Sequence, residues 1–466
     1  SDDIPEDWYT IDKNGNRKFK KTYLDRFPKR VYFTIYGNLS EAQDVNNECI
    51  EGIYVPSPLK YDPTAKAIYS GSSKEWSKLS KIGSEGRSTA TTVLSYENVI
   101  KMRNANVEPA DCKVMTFVDA RQDAALQSGH FNDFIRIGKI RSAIWNAVKE
   151  ADEPIGSDRI ARLVFKHLHL SHNDYFRFPN WTGGRAKKVE NVMKRYVGTI
   201  VYDDLAGNWQ VNMPNLEECA LLKINYEYLH DEITGENGCD RLYDIPELDG
   251  LSDENKERFI IQILDYMRHK LCIYSDDRTE EAAKDIEKQV RENLKSPWTL
   301  DDNDRITASH ALCFVKPQNK RKAFGKEVAG YRSKLAFFVR DFLNINGGTA
   351  TIRNSEDYVS YMQSLFAALG NYIQENDGAY QLFYSSILWE KGDEKNVRTD
   401  LTRIRTIGDE IVYTPNNYFQ NFYKNIPLSN INLEAKDHTG QVPKDEREKR
   451  EQQFRNGEFP ILYCSP

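Results

Sequence analysis

The sequence predicts an α/β protein in which a parallel-sheet lobe is interrupted by a large, mainly helical insertion with winged-helix-like elements. Three observations lead there. KVMTFV, residues 113–118, is apolar apart from Thr116 and runs straight into a helical pattern, as a buried parallel strand and its crossover helix do. Residues 431–466 repeat that logic as strand, helix and strand. Roughly three hundred residues separate the two segments, against about 2–6 for an ordinary αβ connection, and their apolar periodicity is mostly helical.

Residues 1–82 read as a linker or cover. KRVYFTIYGN has the β-branched and aromatic density of a strand closed by a Gly-Asn turn, and EGIYVPSPLKYDPTAKAIYSGSS, broken by Pro and Gly, reads as loops and short strands. Residues 83–140 form the first part of the lobe. SEGRSTATTVLSYENVIKM is a helix that Ser84 or Ser88 can cap, with Val93, Leu94, Val99 and Ile100 on its apolar face. KVMTFV follows as a central strand covered on both sides. Its carboxyl end carries DARQD, where Asp119 can cap the next helix and Arg121, Gln122 and Asp123 project from the first turn.

The insertion reads as two blocks. In residues 141–245, SDRIARLVFKHL is a helix with a Ser157 or Asp158 cap, and helices followed by β-rich pieces such as GTIVYDD and GNWQV point to a winged-helix-like arrangement. In residues 246–430, LSDENKERFIIQILDYMRHKLCIY places Phe259, Ile260, Ile263 and Leu264 at helical spacing. The helices YRSKLAFFVRDFL and SEDYVSYMQSLFAALGNYI then lead to a β-hairpin in GAYQLFYSSILWEKGD. Residues 431–466 complete the lobe: a strand in NINLEAKDHTGQ, a charged helix between Pro443 and Gly457 with Phe454 to pack on the sheet, and the short strand PILYCSP.

Composition excludes some functions. With 39% hydrophobic residues, 26 Tyr and 21 Phe, the chain can bury cores, so it is not a disordered protein. The formal charge of -6, from 64 basic and 70 acidic residues, gives no global attraction to polyanions, so any such site must be a local patch. No apolar stretch approaches a membrane span, and the start, SDDIPEDWYT, lacks a signal-like core, so a cytoplasmic protein is expected. Seven scattered cysteines without Cys-x-x-Cys spacing are expected to be reduced and mostly buried.

Several clusters carry two readings. His167, His169 and His172 in HLHLSH are close enough to suggest zinc, or they are alternate residues of a short amphipathic piece; without Cys or acidic ligands at metal spacing, no metal is expected. DARQD is either a ligand-binding strand end or a cap with an Arg-Asp pair. Two basic clusters with interleaved aromatics can neutralise phosphates and stack bases, or can be solvated helix faces. One is Lys316, Lys320, Arg321, Lys322, Lys326, Arg332 and Lys334 with Phe324 and Tyr331. The other is Arg185, Lys187, Lys188, Lys194 and Arg195 with Trp181 and Tyr196. The chain contains no Walker-type phosphate loop, no Gly-x-Ser-x-Gly elbow and no His-Glu-x-x-His helix.

SEGRSTATTVLS, FVDARQDAALQSGHFNDF and HTGQVPKDEREKREQQFRNGEFPILYCSP, in this order, resemble the second RecA-like lobe of large prokaryotic superfamily-2 helicases of the DEAD/DEAH-box type. His438, Gly440, Arg447, Phe454 and Gly457 fall at nearly the family's strand-helix-strand spacing, and GNWQVNMPNLEECALLKINY and YRSKLAFFVRDFL resemble pieces of an insertion in one branch. The resemblance implies a fragment of an ATP-dependent nucleic-acid helicase or translocase. Asp119, Arg121, Gln122, Asp123, Thr439, Gly440, Arg447 and Ser465 would face nucleic acid or the first RecA-like lobe, and DNA, or RNA, would be the partner, with other proteins of a defence or repair system possible. ATP and Mg2+ would be cofactors of the parent protein. Because the phosphate loop, the magnesium carboxylates and the arginine finger of the family are not in this sequence, the chain alone is expected not to hydrolyse ATP. The alternative is a non-enzymatic winged-helix module that binds DNA or a protein partner. The Cys-x-x-Cys element that related proteins often carry before the GRSTATT helix is replaced here by LKYDPTAKAIYSG.

Overall fold

The computed structural model describes residues 9–11, 17–26, 29–34, 39–40, 49–54, 61–62, 67–68, 84–206, 213–236, 248–300, 304–317, 325–349, 352–402, 405–406, 414–428 and 432–465. The chain divides into two compact units, one of residues 1–83 with 399–412 and one of residues 84–398 with 413–466. In the first, Lys29–Thr34 is flanked antiparallel by Leu39–Ser40 and Cys49–Tyr54, as the β-branched and aromatic content of KRVYFT predicts. Tyr61–Asp62, Ala67–Ile68 and Arg405–Thr406 make a second small antiparallel sheet.

In the second unit, the two ends of the interruption meet in one parallel sheet. Its strand order is Ala435–His438, Ile461–Cys464, Val114–Phe117. Ile461 pairs with Val114 and Cys464 with Phe117, while Ala435 pairs with Ile461 and His438 with Cys464. Ile461–Cys464 is buried along its whole length. Leu462 and Cys464 meet Phe454 and Phe459 beside the helix Lys444–Arg455, and the hydroxyl of Tyr463 donates to Ser95 Oγ at 3.3 Å beneath the helix Ser84–Asn104. Phe454 thus packs as its position predicts.

KVMTFV does not take the central place expected of it. Among the described residues Val114–Phe117 lies at an edge of the sheet, and Phe117 is 74% exposed with Met115 exposed beside it. Continuous apolar character cannot distinguish a middle strand from an edge one. The helix Ser84–Asn104 also differs in detail: Leu94 is 63% exposed, and the buried stripe is Thr92, Ser95, Tyr96 and Val99. The period is right and the face is rotated, because polar contacts hold it. Gln127 Nε2 donates to Thr92 Oγ1 at 2.9 Å, and His130 Nδ1 lies 3.0 Å from the same oxygen.

The helix that begins at Arg121 runs 30 residues to Glu150, unbroken through residue 140. Its first half lies on the sheet, where Asn132 exchanges two hydrogen bonds with the backbone of Ala435, at 2.9 and 2.8 Å. Its second half packs on the helices Ser157–His167 and Asn417–Asn425. Gly138 permits that approach: a Cβ there would sit 2.7 Å from the ring of Phe422.

The insertion holds two successive sets of helices and strands. After the long helix come the strand Ile155–Gly156, the helices Ser157–His167 and Gly183–Asp204, and the strand Leu222–Tyr226. That strand is antiparallel to Ile387–Lys391, which returns to pair antiparallel with Ile155–Gly156. Between those two strands lies the second set: helix Asp253–His269, strand Ile273–Tyr274, helix Glu280–Asn293, the parallel strands Ala311–Cys313 and Lys326–Val328, helices Lys334–Asn346 and Ser355–Ala368, and the hairpin Ile373–Asn376 with Ala379–Phe383, whose second strand is antiparallel to Ala311–Cys313 and parallel to Ile273–Tyr274. Phe259, Ile260, Ile263 and Leu264 are fully buried, as their spacing predicts. GTIVYDD, expected as a β-rich piece, is the end of the helix Gly183–Asp204. The heptad-like row Val189, Val192, Met193, Tyr196, Val197 and Ile200 buries one helical face, and that burial outweighs the β propensity of Ile and Val. GNWQV lies outside the described residues. The helix Ser157–His167 is preceded by Gly156 and has no side-chain cap from Ser157 or Asp158.

Candidate nucleic-acid interface

Parallel pairing brings three strand ends to one rim: Phe117 to Asp119, His438 to Gly440, and Cys464 to Ser465. The backbone stitches them together, since Val118 N–H donates to Cys464 C=O at 2.9 Å and Ser465 N–H to His438 C=O at 3.2 Å. Asp119 does not cap the long helix. Ala120 precedes it in an extended conformation, and no side chain takes the free N–H groups. The cap reading of DARQD therefore lacks its hydrogen bond. Asp119, Arg121, Gln122 and Asp123 are all exposed.

Arg121 reaches across to the second motif. A Cβ at Gly440 would stand 3.2 Å from the Arg121 guanidinium carbon, so the glycine leaves room for the cation. Thr439 is buried and its Oγ1 accepts from Gln441 N–H at 3.3 Å, which shapes the turn into the next helix. Arg447 Nε and Ser465 Oγ are buried and have no hydrogen-bond partner among the described residues. Two residues of this rim escaped the sequence reading. Arg450 donates to both the carbonyl and the carboxylate of Asp437 at 2.7 Å, and His438 Nε2 lies 2.8 Å from Glu451 Oε1. The signal for them is the placement of Arg450 and Glu451 on the face of the charged helix one turn before Phe454, the face that turns to the sheet.

The second candidate surface begins the helix Gly183–Asp204. Arg185, Lys187 and Lys188 are exposed, no acid occupies the first turn, and Thr182 before it makes no side-chain cap. The guanidinium carbon of Arg185 stands 4.2 Å over the Trp181 ring. Lys194 and Arg195, expected to belong to the same cluster, are instead engaged: Lys194 pairs with Glu190, and Arg195 with Asp277 at 3.0 Å and Asp285 at 3.3 Å.

The other end of this helix is held by three buried arginines from three elements. Arg141 of the long helix donates Nε to Asp204 at 2.8 Å and Nη1 to the Tyr423 hydroxyl at 2.9 Å. Arg278 pairs with Asp203, donates to Thr199 C=O at 2.6 Å, and lies 4.3 Å over the Tyr202 ring. Arg268 donates to Leu205 C=O at 3.2 Å, grips Glu217 at 2.8 and 2.9 Å, and pairs with Asp265 at 3.0 Å. Cations at a helix carboxyl end complement its dipole. Arg121 and Arg141 stand on the same helix, about 30 Å apart by helical rise, so rim and clamp share one rigid element.

Lys320, Arg321 and Lys322 of the other basic cluster lie outside the described residues. Among its described neighbours, the guanidinium of Arg340 stands 4.3 Å from the Tyr331 ring centroid and 4.8 Å from that of Phe337. Of the histidines of HLHLSH, His167 lies 3.6 Å from Glu150 with its ring 6.2 Å from that of His169, while His172 stacks on Phe176 with centroids 4.4 Å apart. Among the described residues no group of three His, Cys, Asp or Glu is placed to hold a metal ion, no helix is long and apolar enough to cross a membrane, and the five cysteines with described side chains are free and buried. No family model, curated protein or solved structure matches the chain.

Proposed function

We propose that this chain is the nucleic-acid-engaging second lobe of an ATP-dependent helicase or translocase, a RecA-like sheet carrying two nested winged-helix domains. The observation that carries the reading is the parallel pairing of Val114–Phe117 with Ile461–Cys464 across the whole insertion, which aligns DARQD, His438 to Gly440 and Ser465 on one rim. At the carboxyl ends of parallel strands, free helix N–H groups and rim side chains meet ligands. The insertion supports it. A winged helix would run helix, strand, two helices and two strands with its first strand antiparallel to its last; the first block follows that order apart from the short helix His172–Tyr175, and the second carries Ile273–Tyr274, Glu280–Asn293 and Lys326–Val328 in addition. In the first of these the helix that would face nucleic acid is Gly183–Asp204, which begins with Arg185, Lys187 and Lys188.

In this reading ATP and magnesium are held by the phosphate loop and acidic pair of a first lobe. Arg121 and Gln122 contact the nucleic-acid backbone, Thr439 holds the turn behind them, and Arg447 and Ser465, with buried atoms unpartnered among the described residues, complete the interface between lobes. The test is ATP turnover by the protein as its source makes it, with and without DNA or RNA. Stimulation by nucleic acid that Arg447→Ala abolishes is the expected result. Turnover indifferent to nucleic acid, or none, would leave the second reading, a winged-helix module that binds nucleic acid without an enzymatic cycle. The cationic start of Gly183–Asp204 serves that reading equally well, because it needs no nucleotide.

A further inference from the structure

Next to the exposed cations of the helix Gly183–Asp204 stands an aromatic that the fold does not use. Phe178 is 52% exposed, although burying a phenyl ring is ordinarily worth about 1.5–3 kcal/mol. Its ring centroid lies 5.0 Å from that of Trp181, which carries Arg185 on its face, and the guanidinium of Arg177 stands 5.8 Å over Phe178 itself. The segment that presents it is pinned at the two residues just before it. Phe176 is buried and bridges to Leu294, Arg177 N–H donates to Asn293 C=O at 3.0 Å, and Arg177 Nη1 donates to Arg291 C=O at 2.9 Å. The ring is therefore held in the open by backbone hydrogen bonds rather than left at the tip of a loose loop.

We propose that Arg177, Phe178, Trp181, Arg185, Lys187 and Lys188 form a platform for unpaired nucleotides, with a base stacked on the open face of Phe178 and the strand's phosphates against the cations. This rests on the nucleic-acid engagement proposed above and names its substrate class. A duplex offers a surface its phosphates and groove edges, because its base faces are already stacked on one another, and a phenyl ring reaches those faces only by unstacking a step at a cost of about a few kcal/mol. A single strand offers the faces, and stacking on an aromatic side chain is sequence-tolerant because every base has one. The cations supply attraction without sequence preference, and no acid stands among them in the helix's first turn.

The experiment is fluorescence anisotropy of the chain with a labelled oligothymidylate and with a duplex of the same length, each over a salt series. Phe178→Ala should weaken single-strand binding about tenfold and leave the duplex unchanged, and Phe178→Trp should restore it. Lys187→Ala with Lys188→Ala should weaken both and lower the salt slope by about two. Equal loss on both substrates, or no loss, from Phe178→Ala overturns the platform while leaving nucleic-acid engagement intact. Failure of the unaltered chain to bind either substrate overturns both.

Discussion

The helices Gly183–Asp204 and Ser355–Ala368 each lead into a strand of their own block of the insertion, yet their first turns are built in opposite ways. Ser355–Ala368 stabilises its own start: Asn354 Oδ1 accepts from the N–H groups of Glu356 and Asp357 at 2.8 and 2.9 Å, and those two acids sit where the helix dipole favours negative charge. Gly183–Asp204 has no side-chain cap and no acid there, and presents Arg185, Lys187 and Lys188 instead. Besides its buried face it is held at the other end, where Arg141, Arg268 and Arg278 close on Asp203, Asp204 and Leu205. A helix start that opposes its own dipole, on an element anchored elsewhere, is where an anionic partner is expected. The self-capped helix needs none.

This contrast can be broken at the anchor first. Arg141→Ala removes the charge that neutralises Asp204 and should destabilise the chain by about 3–5 kcal/mol in urea unfolding, the usual result of stranding one member of a buried ion pair. A loss no larger than that of a surface substitution would mean that the clamp does not hold the helix.

The second test uses acid. Burial alone would raise the Asp265 carboxyl, but the Arg268 and Arg398 guanidiniums beside it hold it below its ordinary value of 3.8. A depressed folded-state value means that folding favours the ionised form. Its contribution is therefore present above the unfolded-state value and lost as pH falls through the folded one. Urea midpoints of the unaltered chain and of Asp265→Asn should differ at neutral pH and converge in acid. A gap that does not change with pH would show that Asp265 is not the ionised partner of the clamp.

Smaller effects probe the two helix starts directly. Asn354→Ala should cost about 1 kcal/mol of stability and leave affinity for nucleic acid unchanged, since that helix start serves the fold. Lys187→Glu should do the reverse, adding on the order of a few tenths of a kcal/mol by complementing the dipole while weakening nucleic-acid binding. If Lys187→Glu destabilises the chain, the cations are structural and the comparison fails.

Some of this is legible in one dimension. Pro443, Gly457 and Phe454 announce the last helix and its packing residue, and the four-residue stripe of Asp253–His269 announces a buried face, because punctuation and periodicity are local properties. The start of Gly183–Asp204 is legible as a cationic cluster with Trp181, but its division is not. Lys194 and Arg195 look like Lys187 and Lys188 in sequence and differ only because Glu190, Asp277 and Asp285 come within reach of the former pair. For DARQD, local pattern offers a cap that the backbone does not use, and Gly440, more than three hundred positions away, receives Arg121 instead.

The order of helices and strands, the rim's inventory of polar side chains and the position of the basic cluster follow from the sequence by itself, since propensity, turn residues and charge act over a few neighbours. Tertiary structure alone decided that Ile461–Cys464, not Val114–Phe117, is the covered strand, that GTIVYDD is helical, and that three arginines from distant elements meet at one helix end. The physical reason is that burial and charge neutralisation depend on which surfaces close against each other, and those surfaces here come from opposite ends of the chain.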